Sequence, residues 1–277
     1  ITMTFVTTFN VTPEHDVVVP PFSSKLARSI LAFISPSYKQ IMEDDQPHKP
    51  VRVTTLKDHQ GKPVFSRWDK KSTLKGNEQY TFSFTFRDDN ILSEIISSPS
   101  ATVELWSTKF RAEVADFKAV GEYGMEDNRY YYVRFITPTM LQPPKPPFKK
   151  RKNRYVLFPY VPLLLNSIYQ HWLKNEGEVI KGVTGLRTLY YLRETAYKLT
   201  PVKAVYDGKP VKGFVGWVIY EFTARRGSKL RENVLRLLSY ANYYGVGKSR
   251  AIGFGEVVIR PSMRVDDSNQ LKAREQS

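Results

Sequence analysis

The chain has 277 residues, 41% hydrophobic and 25% charged, which excludes a wholly disordered polypeptide and suits about two domains. It contains no cysteine, so a disulfide scaffold, a thiol nucleophile and a cysteine-based zinc site are excluded. The net charge is +15, and residues 1–140 carry 17 Lys and Arg against 17 Asp and Glu, so the whole excess lies in residues 141–277. Such asymmetry points to a polyanionic partner, nucleic acid first.

No apolar run approaches the roughly 18 residues of a membrane span. Ile1 to Asn10 lacks the basic and apolar segments of a secretory signal, so a cytoplasmic protein is expected. In chain order, Thr2–Val11 is rich in β-branched and aromatic residues and predicts a strand. Pro20-Pro21 breaks it, and Ser23 or Ser24 is placed to cap a helix over about Ser23–Ile34, with Phe22, Leu26, Ile30 and Phe33 at helical spacing. Val51–Leu56 predicts a strand, and Gly61-Lys62-Pro63 a turn. Gln79–Arg87 alternates Tyr80, Phe82, Phe84 and Phe86 on one face, a half-buried strand. A short helix over about Asn90–Ser97 follows, then strands over Ala101–Trp106 and Phe110–Val120. Strand, helix, strand, strand, helix, strand, with one strand added, is the ferredoxin-like order.

Residues 126–260 repeat that order. Tyr130–Ile136 predicts a strand, Gln142 to Arg154 a stiff exposed loop, and Tyr160–Asn175 a helix with Leu164, Ile168 and Trp172 on one face. Leu186–Val205 supplies strand material. Phe214–Thr223 predicts a strand, Lys229–Tyr243 a helix facing inward through Leu230, Val234, Leu237 and Leu238, and Phe254–Ile259 the closing strand. There is no sequence repeat; the repetition lies in element order alone. The expected class is therefore α+β, two tandem ferredoxin-like, RRM-like domains over 1–125 and 126–260, with a polar, disordered tail over 261–277.

The sharpest segment is Gly245-Val246-Gly247-Lys248-Ser249-Arg250-Ala251-Ile252-Gly253-Phe254-Gly255. Gly247-Lys248-Ser249 fits the end of a phosphate-binding P-loop, but Asn242 holds the position of its first glycine and a helix precedes it, so that reading fails. A dinucleotide fingerprint fails too, because Arg250 holds its third glycine position. Two readings remain: a tight turn, or a loop whose backbone amides, with Lys248 and Arg250, clamp an RNA or DNA backbone. The charge favours the second. Gly245, Gly247, Lys248, Ser249, Arg250, Gly253 and Gly255 are thus candidate RNA-binding residues, with Arg231 on the preceding helix.

This loop resembles the C-terminal glycine-rich signature of the RAMP superfamily of CRISPR-associated proteins. More narrowly, the chain resembles the CRISPR repeat-processing endoribonucleases of crenarchaeal type. Phe135-Ile136-Thr137-Pro138-Thr139 is similar to their strand-end motif, and Pro20 through Ile34 to their first helix. The resemblance implies repeat RNA, single-stranded or weakly folded, bound against the two domains. It also implies cleavage without metal or cofactor, by attack of a ribose 2′-OH that leaves a 2′,3′-cyclic phosphate and a 5′-OH. A non-catalytic RNA-binding subunit of a CRISPR effector complex is the alternative, and a homodimer is an open assembly. No membrane partner is implied.

Cleavage of this kind needs a proton acceptor, a proton donor and cations around the phosphorane. Many members of the family place a histidine in or just after the first helix. Here the helix has none, and His48 is the nearest match. Lys49 sits where the resemblance places another active-site cation. Lys25 and Arg28 are three apart and share a helix face. Lys25 lies in the first helical turn, where a cation opposes the helix dipole, and it is the other candidate base; Arg28 stays protonated and only stabilises charge. The four histidines show no metal-binding spacing. Tyr130–Tyr132, Tyr190-Tyr191 and Tyr243-Tyr244 are placed to stack bases or to pack the core, and the basic run Lys149-Lys150-Arg151-Lys152, with Arg154, to meet phosphates or simply be solvated.

Overall fold

A computed structural model describes residues 3–68, 70–145, 147 and 153–263. The basic run at 149–152 and the tail beyond Met263 lie outside the described residues. The N-terminal half runs β1 (Thr4–Pro13), β2 (Val17–Val19), α1 (Ser24–Ile34), α2 (Pro36–Glu43), β3 (Arg52–Val53), β4 (Ser72–Leu74), β5 (Tyr80–Phe86), α3 (Asp89–Ser97), β6 (Ser100–Leu105) and β7 (Thr108–Val120). Its main sheet has the order β3-β5-β1-β7-β6. With β6 set aside as the added edge strand, this is the ferredoxin-like arrangement. The aromatic alternation of β5 becomes its buried face: Tyr80, Phe82, Phe84 and Phe86 all enter the core, and Phe82 pairs with Phe9 across the sheet, the rings 5.0 Å apart, the kind of cross-strand pair that fixes register.

The C-terminal half runs β8 (Tyr130–Thr139), α4 (Val161–Glu176), α5 (Thr188–Tyr191), β9 (Leu192–Tyr206), β10 (Lys209–Phe222), α6 (Lys229–Tyr244), a 3-10 turn (Arg250–Ile252) and β11 (Val257–Ser262). The sheet order is β11-β8-β10-β9, antiparallel throughout. Leu164, Ile168 and Trp172 of α4 and Val234, Leu237 and Leu238 of α6 pack against it. The two halves are thus tandem ferredoxin-like folds.

Several local expectations are corrected. Neither serine caps α1. Ser23 Oγ accepts the Leu56 N–H at 2.9 Å, and Ser24 Oγ donates to the Ile252 carbonyl at 2.6 Å. Phe33 is 63% exposed; Ala27, Leu31 and Ile34 complete the buried face of α1 instead. The strand at 51–56 shrinks to Arg52–Val53. Phe254 lies before β11, and β11 extends to Ser262, inside the expected tail. The expectation did not include α2, although Ser35 accepts the Tyr38 N–H and Pro36 opens the helix, a combination sequence rules recognise. It also did not show that β9 and β10 form one long hairpin, turned by Asp207 (φ 49°) and Gly208 (φ 72°). Positive φ at both central residues is the type I′ geometry that Asp-Gly favours.

Candidate active site

The segment after α2, the start of α4 and the glycine-rich loop meet at a cleft of about 660 Å³. His48 and Lys49 of the N-terminal half line it, with Lys248, Ser249, Asn166, Gln170 and Gln142 of the C-terminal half. Sequence reasoning named His48, Lys49, Lys248 and Ser249 separately; the fold brings them to one place. His48 is exposed and adopts φ 54°, a left-handed backbone uncommon for any residue but glycine. Partial burial, then Arg250 and Lys174, hold its pKa below the ordinary histidine value. Burial, then Arg28, also lowers the Lys49 pKa, with Asp44 and Asp45 opposing. The Lys49 ammonium donates to the Met42 carbonyl at 2.8 Å.

Lys25 and Arg28 stand beside the cleft on α1 and do not line it. Both face the tip of the β9–β10 hairpin. Lys25 is paired with Asp207, and Arg28 donates to the Tyr206 hydroxyl. Burial opposes the Arg28 charge, but Tyr206 and Tyr38 outweigh it and raise its pKa. Tyr38, buried against Arg28, has its own pKa pushed up to about 12, chiefly by burial. Tyr38, Tyr206 and Asp207 were missed by sequence reasoning; only the Asp207-Gly208 turn signal could have pointed to the hairpin tip.

The glycine-rich loop uses several of its amides within the protein. Val246 N–H donates to the Gly255 carbonyl, Lys248 N–H to the Met140 carbonyl, Gly255 N–H to the Pro138 carbonyl and Gly247 N–H to Ser167 Oγ, all within 3.1 Å. Its glycines bring backbone against backbone. A Cβ on Gly255 would sit 1.8 Å from the Val246 oxygen, and one on Gly247 would sit 2.4 Å from the Met140 oxygen. Both residues also have positive φ. A Cβ on Gly245 would meet the Gly255 oxygen at 2.8 Å, and one on Gly253 the Ser24 and Phe22 side chains at 2.9 and 3.1 Å.

Arg250 is likewise redirected from the expected phosphate contact. It is 4% exposed, and its guanidinium donates to the Gly245 carbonyl at 3.0 Å and the Ser167 carbonyl at 2.7 Å. Burial pushes its pKa down to about 10. Arg231 is 3% exposed and is held by Asp127 and by the Phe222, Ala224 and Asn128 carbonyls. Both arginines fasten the fold: Arg231 donates from Nε and both terminal nitrogens, and Arg250 from both terminal nitrogens, to protein oxygens. Lys248 is the exposed cation of the loop, its ammonium 5.5 Å from the Tyr155 ring centre.

A second groove of about 1240 Å³ between the halves is lined by Lys62, Arg67, Arg134 and Lys198 with Tyr132 and Trp217. Of the tyrosines placed to stack bases or to pack the core, Tyr130, Tyr131 and Tyr244 are buried, Tyr132, Tyr191 and Tyr243 half-buried and Tyr190 exposed. Among the described residues, no three His, Asp or Glu side chains gather as a metal site, and no helix is long and apolar enough to cross a membrane.

Residues 5–120 match the family profile of the Cas6 N-terminal domain, and residues 133–257 that of the CRISPR-associated endoribonuclease Cas6. Two relatives from Saccharolobus solfataricus, CRISPR-associated endoribonucleases Cas6 2 and Cas6 1, are each 28% identical; the matches cover 90% and 91% of this chain and 93% and 94% of theirs. Among solved structures, a Cas6 product complex superposes with a TM-score of 0.65 at 18% identity, covering 94% of this chain and 100% of that one. Thermus thermophilus Cas6 gives 0.63 at 17%, covering 94% and 99%. A RAMP protein binding different RNA substrates gives 0.57 at 16%, covering 93% and 99%.

Proposed function

The chain belongs to the Cas6 family of CRISPR-associated endoribonucleases, and we propose that it cuts precursor CRISPR RNA within the repeat without a metal, through the RNA's own 2′-OH. The observation that carries this reading is the cleft where His48 and Lys49 of one half face Lys248 of the other. The second groove, with four cations and two aromatic rings, offers the rest of the RNA a path, since phosphates are met by Lys and Arg and unstacked bases by aromatic faces.

In the proposed step, His48, held toward its neutral form, takes the proton of the 2′-OH. The 2′-oxygen bonds to the adjacent phosphorus, and the bond from phosphorus to the 5′-oxygen breaks. Lys49, whose proton is made easier to give up, protonates the departing oxygen. The products are a 2′,3′-cyclic phosphate and a 5′-OH. Arg28 and Lys248 stabilise the charge that grows on the phosphorane, and Lys25 adds to that field from behind its ion pair with Asp207. A proton donor needs a pKa moved toward the working pH, which the surroundings of Lys49 supply, while those of His48 keep the ring neutral and able to accept.

The test is incubation of the purified protein with repeat RNA in EDTA. Site-specific cleavage leaving a cyclic phosphate, lost when the nucleotide before the cut is 2′-deoxy, is the expected result. Cleavage of the deoxy RNA, or a strict Mg²⁺ requirement, defeats the mechanism. Tight binding without cleavage selects the alternative, a non-catalytic RNA-binding RAMP subunit.

A further inference from the structure

Sequence reasoning left His15, His59 and His171 without a role, and of these His171 is wholly buried. It sits on α4, behind the cleft. Its Nε2 lies 2.9 Å from the Lys49 carbonyl and its Nδ1 2.5 Å from the Tyr240 hydroxyl of α6. A carbonyl only accepts, so Nε2 carries the proton, and Nδ1 accepts from Tyr240. The Tyr240 oxygen in turn accepts from Asn175 Nδ2 at 3.1 Å. The donors and acceptors therefore run one way, from Asn175 through Tyr240 and His171 to the backbone of Lys49. One turn further along α4, Lys174 donates to the Pro47 carbonyl. Helix α4 thus grips the chain on both sides of His48, the residue with the left-handed backbone.

We propose that His171 is a positioning residue for the cleavage reaction: through its Nε2–H it holds the Lys49 carbonyl, and so fixes the His48–Lys49 segment opposite Lys248. This rests on the reading of the cleft as the cleavage site. The segment needs such a hold. It carries no regular secondary structure between α2 and β3, its prolines at 47 and 50 have no N–H to donate, and His48 occupies a costly conformation that persists only where its surroundings impose it. A groove wall that must place an imidazole and an ammonium against one phosphate gains from a rigid backbone, because about 1 Å of misplacement can cost on the order of 100-fold in rate.

The surroundings of the ring favour the neutral form that this role requires. Tyr240 and Tyr244 of α6 pack on it, with ring centres 5.7 and 5.0 Å away. His48 approaches edge-on at 6.3 Å. Arg250 from the glycine-rich loop, Lys174 from α4 itself and His48 oppose a charge on the ring, and burial opposes it most, so its pKa lies well below the ordinary value. The backbone of Lys49 is the one contact that favours protonation.

The experiment compares His171→Phe and His171→Gln with the parent. Phe keeps ring volume and loses both hydrogen bonds; Gln keeps an N–H able to reach the Lys49 carbonyl. Single-turnover cleavage at saturating protein, RNA affinity, thermal unfolding and the pH dependence of the rate are measured together. For His171→Phe the expected result is a 10- to 100-fold slower single turnover, affinity within about threefold of the parent, and an unmoved acidic limb in the pH profile, while His171→Gln recovers most of the rate. A folded His171→Phe that cuts at the parent rate overturns the proposal. So does a loss of rate matched by an equal loss of affinity that Gln does not rescue. Should His171→Phe fail to fold, His171→Gln and Lys174→Met carry the test: parent-like cutting by Gln with a slower Met variant of unchanged affinity supports the grip of α4, and a slow Gln variant of full stability and affinity overturns it. His48→Ala and Lys49→Ala run alongside. If both cut at the parent rate, the cleft reading itself has failed, a result distinct from failure at His171 alone.

Discussion

Phe22 and Phe254 stack face to face across the two halves of the chain, their ring centres 4.2 Å apart and their planes within 6° of parallel. Each is 1% exposed, and with Met140 and Ala204 they form a small separate core beneath the glycine-rich loop. Phe254 is flanked by Gly253 and Gly255, so the ring also anchors the turn. Phe254→Ala is expected to cost about 3–5 kcal/mol, the range for a buried Phe truncated to Ala, with Phe254→Leu clearly milder. Urea unfolding measures both. Parent-like stability of the Ala variant would show that the stack does not hold the halves together.

Arg250 and Lys248 divide one loop into a buried cation and an exposed one. Arg250→Ala leaves the Gly245 and Ser167 carbonyls without their donor, so lost stability is the expected outcome, about 1–3 kcal/mol for buried groups left unsatisfied. Lys248→Ala is expected to change stability within about 0.5 kcal/mol, as at other exposed sites, and to weaken RNA binding. If Lys248 meets one phosphate of single-stranded RNA, the log–log salt dependence of binding should lose about 0.7 of its slope. An unchanged slope removes Lys248 from the interface.

Both ferredoxin-like halves were legible in the sequence because their signals are local and periodic: Tyr80 through Phe86 for a half-buried strand, Leu164, Ile168 and Trp172 for a helix. The family was legible because Gly245 to Gly255 is compact in sequence. What escaped reading depends on residues far apart. Arg250 and Lys248 look alike as charges, and only the fold shows that one turns toward Ser167 and the other toward solvent. The glycines suggested a phosphate cradle, yet their crowding is against Met140 and Val246. His171 matched no motif, because its partners Tyr240 and Lys49 lie 69 and 122 residues away. Lys25 was read as a free cation because nothing local predicts Asp207 beside it.

The assignment of His48 and Lys49 fixes the pH dependence. A proton acceptor works only when neutral, so the single-turnover rate should rise with pH through the His48 pKa, which lies below the ordinary histidine value. A donor works only when protonated, so the rate should fall again at high pH, through a Lys49 pKa lowered from that of a free lysine. The profile is a bell shifted to acid on both limbs. His48→Ala should remove the acidic limb and slow cleavage by about 100- to 10,000-fold. Lys49→Ala should remove the basic limb with a comparable loss. A rate that rises through the whole range up to pH 10 would reverse the assignment and make a lysine the base.

Lys25 is tested through its partner. The Lys25–Asp207 pair is 42% and 53% exposed, and exposed pairs contribute about 0–1 kcal/mol, screened by salt. Asp207 also holds the first central position of the hairpin turn at φ 49°, where Asn is as well suited as Asp. Asp207→Asn therefore removes the carboxylate and keeps the turn, so the fold should be unchanged within about 1 kcal/mol. The freed ammonium adds positive charge beside the cleft, and RNA binding should tighten, most at low salt. If Lys25 helps stabilise the phosphorane, Lys25→Ala should slow single turnover in the parent and slow it at least as much in the Asp207→Asn background. The double-mutant comparison isolates the pair. Equal cleavage with and without Lys25 in both backgrounds would reduce it to a surface ion pair, and the electrostatic work would then fall to Arg28 and Lys248.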